Sequence, residues 1–319
     1  MSGMDKLIVV AIGGNSLIDD PANKTVAAQY AACRKTVTHL VPLLQRGYRL
    51  LIVHGNGPQV GFILRRAELA RNELHMVPLD SCVADTQGAI GYNLQMAFHN
   101  ELRRSGLNRS VATIVTQVEV ASDDPSWQNP SKPIGSFMTE EDARRHAQKD
   151  GWIVHEDAGR GWRRVVPSPT PRSVVEIEAI HTLLQNDAVI IAAGGGGIPV
   201  YIDQNGEMRG AEAVIDKDHA ASLLAVSLRA EHFIISTAVD RVAIHYNTPR
   251  EQWLDELSIA DAERYLAEGH FAPGSMKPKV EAMLAYIKSA GGQGVITDPQ
   301  HLSAAIRGEA GTRFRAAAH

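Results

Sequence analysis

Short runs rich in valine and isoleucine, most of them ending in glycine or another turn residue, constrain this chain more than any other feature. Leu7 to Ile12 runs into Gly13-Gly14-Asn15, and Tyr48 to Val53 into His54-Gly55-Asn56-Gly57. Val111 to Val115, Ala188 to Ala193 before Gly194-Gly195-Gly196-Gly197, His232 to Ser236, and Gly294 to Thr297 complete the set. Runs this short and this apolar predict strands buried on both faces. Helical periodicity lies between them. Val60, Ile63, Leu64, Ala67 and Ala70 form one face after Pro58, and Ala220 to Leu228 behaves similarly. Val280, Met283, Leu284 and Ile287 form a third stripe, ended by Gly291-Gly292. The alternation predicts an α/β fold with a mainly parallel sheet and helices on both faces. Ligands of such sheets gather at the carboxyl ends of the strands, which is where the glycines fall.

Glu119 to Pro171 breaks the rhythm with proline, glycine, charge and three of the four tryptophans, Trp127, Trp152 and Trp162. It reads either as an inserted subdomain or lid over the sheet edge, or as a structural excursion with its own small core. Glu309 to His319 reads as a tail. The length, 319 residues, suits one large α/β domain or two lobes.

The formal charge of −4 argues against a nucleic-acid partner, which would call for a basic surplus. No apolar stretch approaches the ~18 residues of a membrane span, and the polar start, Met1 to Lys6, predicts no signal peptide. Cys33 and Cys82 have no CxxC partner, so a reducing, cytoplasmic setting is expected.

The loop His54 to Gly61 follows one strand and opens a helix. Glycine permits close approach of a ligand, and the helix start offers unpaired N–H groups. Together they make an anion site. The loop also nearly matches a dinucleotide fingerprint, but its spacing is G-x-G-x-x-x-G and it follows the second strand. Taken alone, its alternative reading is a tight strand-to-helix turn with no ligand. Gly13-Gly14-Asn15 and Gly194 to Gly197 repeat the pattern on other strands, which points to one shared anionic ligand. No G-x-x-x-x-G-K-[ST] is present, so the chain is not a P-loop enzyme.

Two lysine-bearing stretches accompany the glycines. In Asp216-Lys217-Asp218, Asp218 is expected as a helix N-cap, and Lys217 is either a solvated ion-pair partner or an anion ligand. In Gly274-Ser275-Met276-Lys277-Pro278-Lys279, Lys279 falls in a first helical turn, where an exposed cation costs about 0.3–1 kcal/mol against the helix dipole. An anionic ligand would reverse that sign; the alternative is that Lys277 and Lys279 are ordinary surface charges. Glycine loops and paired cations are the equipment of phosphoryl transfer. An acceptor that is already ionised, such as a carboxylate or carbamate, needs no general base.

These segments together resemble carbamate kinase, in the amino-acid kinase superfamily. The matching stretches are AIGGNSL (11–17), HGNGPQVG (54–61), QGAIGYNLQ (87–95), TQVEV (116–120), NPSKPIG (129–135), EDAGRGWRRVVPSP (156–169), AAGGGGIPV (192–200), AVIDKD (213–218) and FAPGSMKPKVEA (271–282). The resemblance implies a three-layer αβα sandwich around a roughly eight-stranded sheet. The inserted subdomain covers about 119–171, the acceptor lobe about 1–208 and the nucleotide lobe about 209–319. It implies reversible transfer between ATP and carbamate, with Mg²⁺ on the nucleotide, in a homodimer. By this resemblance Lys217 and Lys279 would stabilise the transferring phosphoryl group, and Asp218 would orient them. Gly13, Gly14, Asn15, Gly55, Asn56 and Gly57 would meet phosphoryl group and acceptor, Gly195 and Gly196 would line the acceptor pocket, and Lys132 would reach an anion from the insert. Asp216, Thr237, Ala238, Val239, Asp240, Tyr246, Met276 and Lys277 would lie at the nucleotide. His245 to Pro249 replaces a Gly-Lys-Pro-type turn. That stretch, Glu251 to Leu257 and the HFAPGSM segment resemble a carbamate kinase-like branch whose acceptor can differ. An NAD(P)-dependent oxidoreductase or a non-catalytic nucleotide-binding module leaves Gly194 to Gly197, Lys217 and Lys279 without a joint purpose.

Overall fold

The computed structural model describes residues 4–13, 17, 23–157, 159 and 161–316. Gly14 and Asn15, expected at the site, lie outside these residues. Eight of the described strands form one sheet in the order β15 (Glu256–Ser258), β17 (Thr312–Arg315), β16 (Gln293–Thr297), β12 (Ala230–Ser236), β1 (Met4–Ile12), β2 (Arg49–His54), β9 (Val189–Ile191) and β3 (Val111–Thr113). The six strands from β16 to β3 run parallel, while β17 is antiparallel to β16 and parallel to β15. All six apolar runs singled out in the sequence are strands of this sheet.

The residues of β1 show why the sheet is covered twice. Leu7, Val9 and Ala11 enter one core, and Ile8, Val10 and Ile12 enter the other. Side chains alternate across a strand, so an unbroken apolar run needs apolar cover on both faces. The first core holds residues of α5 (Ile177–Gln185), α6 (Lys217–Ser227), α7 (Ile259–Ala267) and α8 (Met276–Ala290). The second holds residues of α1 (Val26–Gln45), α3 (Leu79–Arg104) and α9 (Leu302–Ile306). The result is a helix–sheet–helix sandwich.

Smaller sheets flank it: β11 (Met208–Gly210), β10 (Ile198–Ile202), β4 (Gln117–Val120) and β8 (Pro171–Val174) in one, and the hairpin β13 (Val242–Ile244) with β14 (Gln252–Leu254) in another. The rhythm-breaking segment contributes a three-stranded antiparallel sheet, β5 (Lys132–Met138), β7 (Trp162–Val166) and β6 (Ile153–Glu156), with α4 (Glu140–Asp150). A third core ties it down: Ile134 and Val166 pack with Val60 and Leu64 of α2 (Gln59–Leu69) and with Val83 of α3. Trp127 stays against the main core. Cys33 and Cys82 are free thiols in different cores, and burial pushes both up to about 12.

The expected tail is a correction. The stretch from Glu309 does not trail away: Thr312 to Arg315 is β17, with Phe314 4% exposed. The Thr312 hydroxyl accepts from the Val242 backbone and donates to the Leu254 carbonyl. Thr-Arg-Phe-Arg carries one apolar residue among three polar ones, so a search for apolar runs passes over it. Truncating Phe314 to Ala should cost about 3–5 kcal/mol, the range for a buried phenylalanine, read as a lower urea midpoint. An unchanged midpoint would mean that β17 is not paired in solution.

Candidate active site

The chemistry is concentrated where the starts of α6 and α8 meet. The Ser222 hydroxyl of α6 donates to the Ala282 carbonyl of α8 at 2.8 Å, which holds the two helices side by side. Asp218, with a side chain 3% exposed, then accepts from two ammonium groups, Lys217 Nζ on Oδ1 and Lys279 Nζ on Oδ2 at 2.9 Å. Both lysine side chains are 13% exposed. Burial pulls Lys217 below the usual lysine range; Asp218 opposes that shift and Lys279 adds to it. Burial would raise the Asp218 carboxyl, but the two lysines hold it below the carboxylate range.

The structure reassigns the helix cap. Asp216, not Asp218, caps α6: its carboxylate accepts from the backbone N–H of Asp218 at 2.9 Å and of His219 at 3.4 Å. Asp218 is a helical residue turned inward onto the lysines. Asp216 also receives Lys132 Nζ of β5 at 2.8 Å. Burial would raise this carboxyl, yet Lys132 first and Lys217 second hold it far below its usual range. Three lysines face two aspartates, so the cluster keeps one positive charge uncompensated. Such a surplus, largely out of water, favours an anion.

The glycine loops make room for it. Gly55 lies against the Lys217 stem; a Cβ there would be 3.3 Å from Lys217 Cδ. The Gly13 N–H donates to the Ser236 carbonyl and the Gly55 N–H to the Ile12 carbonyl, which aligns three strand ends. Gly195 is pressed on the Asn56 amide, and Gly196, at φ +95°, on the Ile215 carbonyl, where a Cβ would come within 2.2 Å. Polar side chains inside the quoted motifs brace these loops, and their roles were not legible in the sequence. Gln87 donates to the carbonyls of Thr116 and Gly194 and accepts from the Thr116 N–H. Asn56 donates to Thr86. His54 is fully buried and its Nδ1 meets the Gly55 carbonyl at 2.9 Å, so that nitrogen carries the proton. Burial lowers this imidazole to about 4, so it is neutral across the physiological range. With the Gly55 carbonyl turned to the ring, the trans peptide turns the Asn56 N–H away from it.

A cleft of about 240 Å³ brings Gly55, Asn56, Gly57, Gly195, Lys132, Asp216, Lys217, Asp218 and Lys279 together. Arg163 of β7 and Gly274, Ser275 and Pro278 also line it. Gly13 and Gly196 do not line the cleft; Gly13 abuts the Ser236 carbonyl and Gly196 the carbonyl of Ile215, which does line it. The pair Lys277 and Lys279 separates: Lys279 joins the cluster, while Lys277 is on the surface, 3.9 Å from Glu281. Met276 opens α8 against the main core. Thr237 to Asp240 follows β12, with the Thr237 N–H on the Thr297 carbonyl. The departing stretch at His245 forms the β13–β14 turn, where exposed Tyr246 stands edge-on to Trp253 at 6.0 Å.

We expect Gly196→Ala to lose stability through both its backbone conformation and the Ile215 contact, by at least the 1–3 kcal/mol typical of overpacking. Equal urea midpoints for wild type and variant would disprove this tight packing of the loop.

A sequence profile of the amino acid kinase family matches residues 6–298. The chain is 48% identical to the carbamate kinase-like protein YahI of Escherichia coli (strain K12), over 98% of this chain and 99% of that protein. It is 44% identical to the carbamate kinase of Pyrococcus horikoshii, over 97% of this chain and 99% of that one. Among solved structures, the carbamate kinase from Giardia lamblia bound to AMP-PNP superposes with a TM-score of 0.91 at 36% identity, covering 99% of both chains. The chain belongs to the amino acid kinase family, among its carbamate kinases and carbamate kinase-like proteins.

Proposed function

We propose that this protein is an ATP-dependent kinase that transfers a phosphoryl group reversibly between ATP and carbamate, giving ADP and carbamoyl phosphate. The observation that carries the reading is the buried Asp218 holding Lys217 and Lys279 at a glycine-lined cleft with one positive charge to spare. A carbamate oxygen attacks the γ-phosphorus, the bond from phosphorus to the β–γ bridging oxygen breaks, and ADP leaves with that oxygen's electron pair. The attacking oxygen is already ionised, so no residue has to remove a proton. Lys217 and Lys279 offset charge on the equatorial and leaving oxygens, where fixed cations in a dry site act most strongly. Asn56 and Gly57 offer backbone N–H groups to the phosphoryl group beside Gly55, whose own N–H is held by Ile12, Gly195 borders the acceptor, and Lys132 exchanges Asp216 for the incoming anion. Mg²⁺ comes with the nucleotide, so MgATP is the substrate.

In this reading the nucleotide lies towards Thr237 to Asp240 and Tyr246, in a C-terminal lobe of about 209–319, and the acceptor lies in a lobe of about 1–208. The insert, about 119–171, covers the cleft. The active species is a cytoplasmic homodimer, and the net reaction can run towards ATP from carbamoyl phosphate. A second reading keeps the machinery and changes the acceptor; it is favoured by the 48–49% identity to proteins named only as carbamate kinase-like.

The purified protein with ADP, Mg²⁺ and carbamoyl phosphate should produce ATP. Absence of ATP from a folded protein that ADP still protects against heat would transfer support to the second reading. Lys217→Ala and Lys279→Ala should each lower kcat by roughly 10²–10³, with little change in melting temperature. Each leaves one lysine on Asp218, a neutral pair. Near-normal turnover in both would falsify these roles. Asp218→Asn behaves differently, because it leaves two adjacent buried cations with no carboxylate between them. It should lose about 3 kcal/mol or more. It should also move the basic limb of the pH–rate profile to lower pH. The sign follows from Asp218 raising the Lys217 pKa: without it, burial and Lys279 act unopposed, and Lys217 loses its proton earlier. A basic limb at its wild-type position would show that Lys217 does not govern it.

A further inference from the structure

A second cavity, of about 290 Å³, lies between α2 and the sheet β5–β7–β6. It has the volume of on the order of ten water molecules, more than one or two bridging waters fill, and sits at the lower end of ligand-pocket sizes. Leu64, Ile134 and Met138 supply apolar wall, and Arg65, Arg145 and Arg164 supply charge. Arg65 is paired with Glu68 at 3.2 Å, and Arg145 with Asp142.

Arg164 is different. Its side chain is 23% exposed, yet its nearest carboxylate oxygen, Glu212 Oε2, is 3.9 Å away, beyond hydrogen-bond reach. The other oxygen of Glu212 is committed to the Leu79 N–H at the start of α3. The guanidinium makes no hydrogen bond to any described residue; it lies over the Trp152 ring at 5.1 Å. Trp152 is fixed in turn, stacked on His146 at 4.2 Å with 8° between the planes, and His146 is tied to Asp150, which also receives Arg71. Burial draws the Arg164 pKa downwards, against the opposing pull of Glu212, Glu68 and Asp150. A planar guanidinium placed over an aromatic ring, lining a cavity and without a hydrogen-bonded partner among the described residues, matches the two oxygens of a carboxylate.

We propose that this cavity is a binding site for a small carboxylate, forked on Arg164 with its apolar part against Leu64, Ile134 and Met138. The proposal does not rest on the reaction above. The cavity is separate from the catalytic cleft but shares Gly61, Ile134 and Gly135 with it, and Gly61 touches Gly135. An occupant bridges α2, which begins at the glycine loop, to β5, which begins at Lys132.

Acetate, succinate and benzoate titrated into the full-length protein by calorimetry test the site. Saturable binding of at least one is expected, weakened tenfold or more in Arg164→Gln and in Met138→Trp, which fills the cavity, and unchanged in Lys217→Ala. Arg164→Lys, keeping the charge and losing the fork, should bind more weakly than wild type. Melting temperatures check that each variant folds, and the two substitutions on different strands guard against one misfolding. No saturable binding by any of the three acids overturns the proposal. So does binding lost in Lys217→Ala and kept in Arg164→Gln, which would put the acid in the catalytic cleft. Inorganic phosphate binding to Lys217→Ala more tightly than every acid, and lost on adding Arg164→Gln, would overturn the carboxylate assignment.

Discussion

A single buried carboxylate, Asp218, shared by Lys217 and Lys279, is the interaction on which the rest of the site depends. Two ammonium groups do not sit side by side out of water without a countercharge. Asp218 supplies it and leaves one positive charge over. The carboxylate in turn sits in the first turn of α6, where the helix dipole favours it, and Asp216 caps the same turn. Packing of α6 on α8 then brings Lys279 across 61 residues of sequence to its partner. Helix packing, capping and charge balance therefore converge on one atom pair.

The glycines serve this cluster by removing side chains from places where backbone or lysine must pass. Gly55 lets the Lys217 stem lie along the end of β2, and Gly195 and Gly196 let the loop after β9 close on Asn56 and Ile215. Behind them, His54, Gln87, Thr86 and Thr116 hold the loops by hydrogen bonds buried out of water. A neutral imidazole suits that position, because full burial penalises the charged form. The insert reaches the same cleft through Lys132 and Arg163, and the cavity behind it, with its under-partnered Arg164, lies on the line joining insert and α2.

Much of this was legible in the sequence. The six apolar runs, their two-sided burial, the helices at 59–69, 217–227 and 276–290, and the glycine-rich strand ends all follow from local periodicity, which a chain carries residue by residue. The resemblance pointed to Lys217, Lys279 and Asp218 as a group. Other features depend on distance in space. The cap of α6 falls to Asp216 because Asp218 is drawn inward by Lys279, a partner no local pattern reveals. Lys277 and Lys279 look alike in the chain and separate only through helix phase. β17 hides in Thr-Arg-Phe-Arg because this strand, second from the end of the sheet, buries one face and not two. Arg164 stands out only once Trp152 is beneath it and Glu212 is out of reach. Sequence by itself determined the layers of the sandwich and where its glycines stand, since both are local. Tertiary structure alone decided which charges are paired, because pairing depends on the few ångströms between side chains that packing brings together.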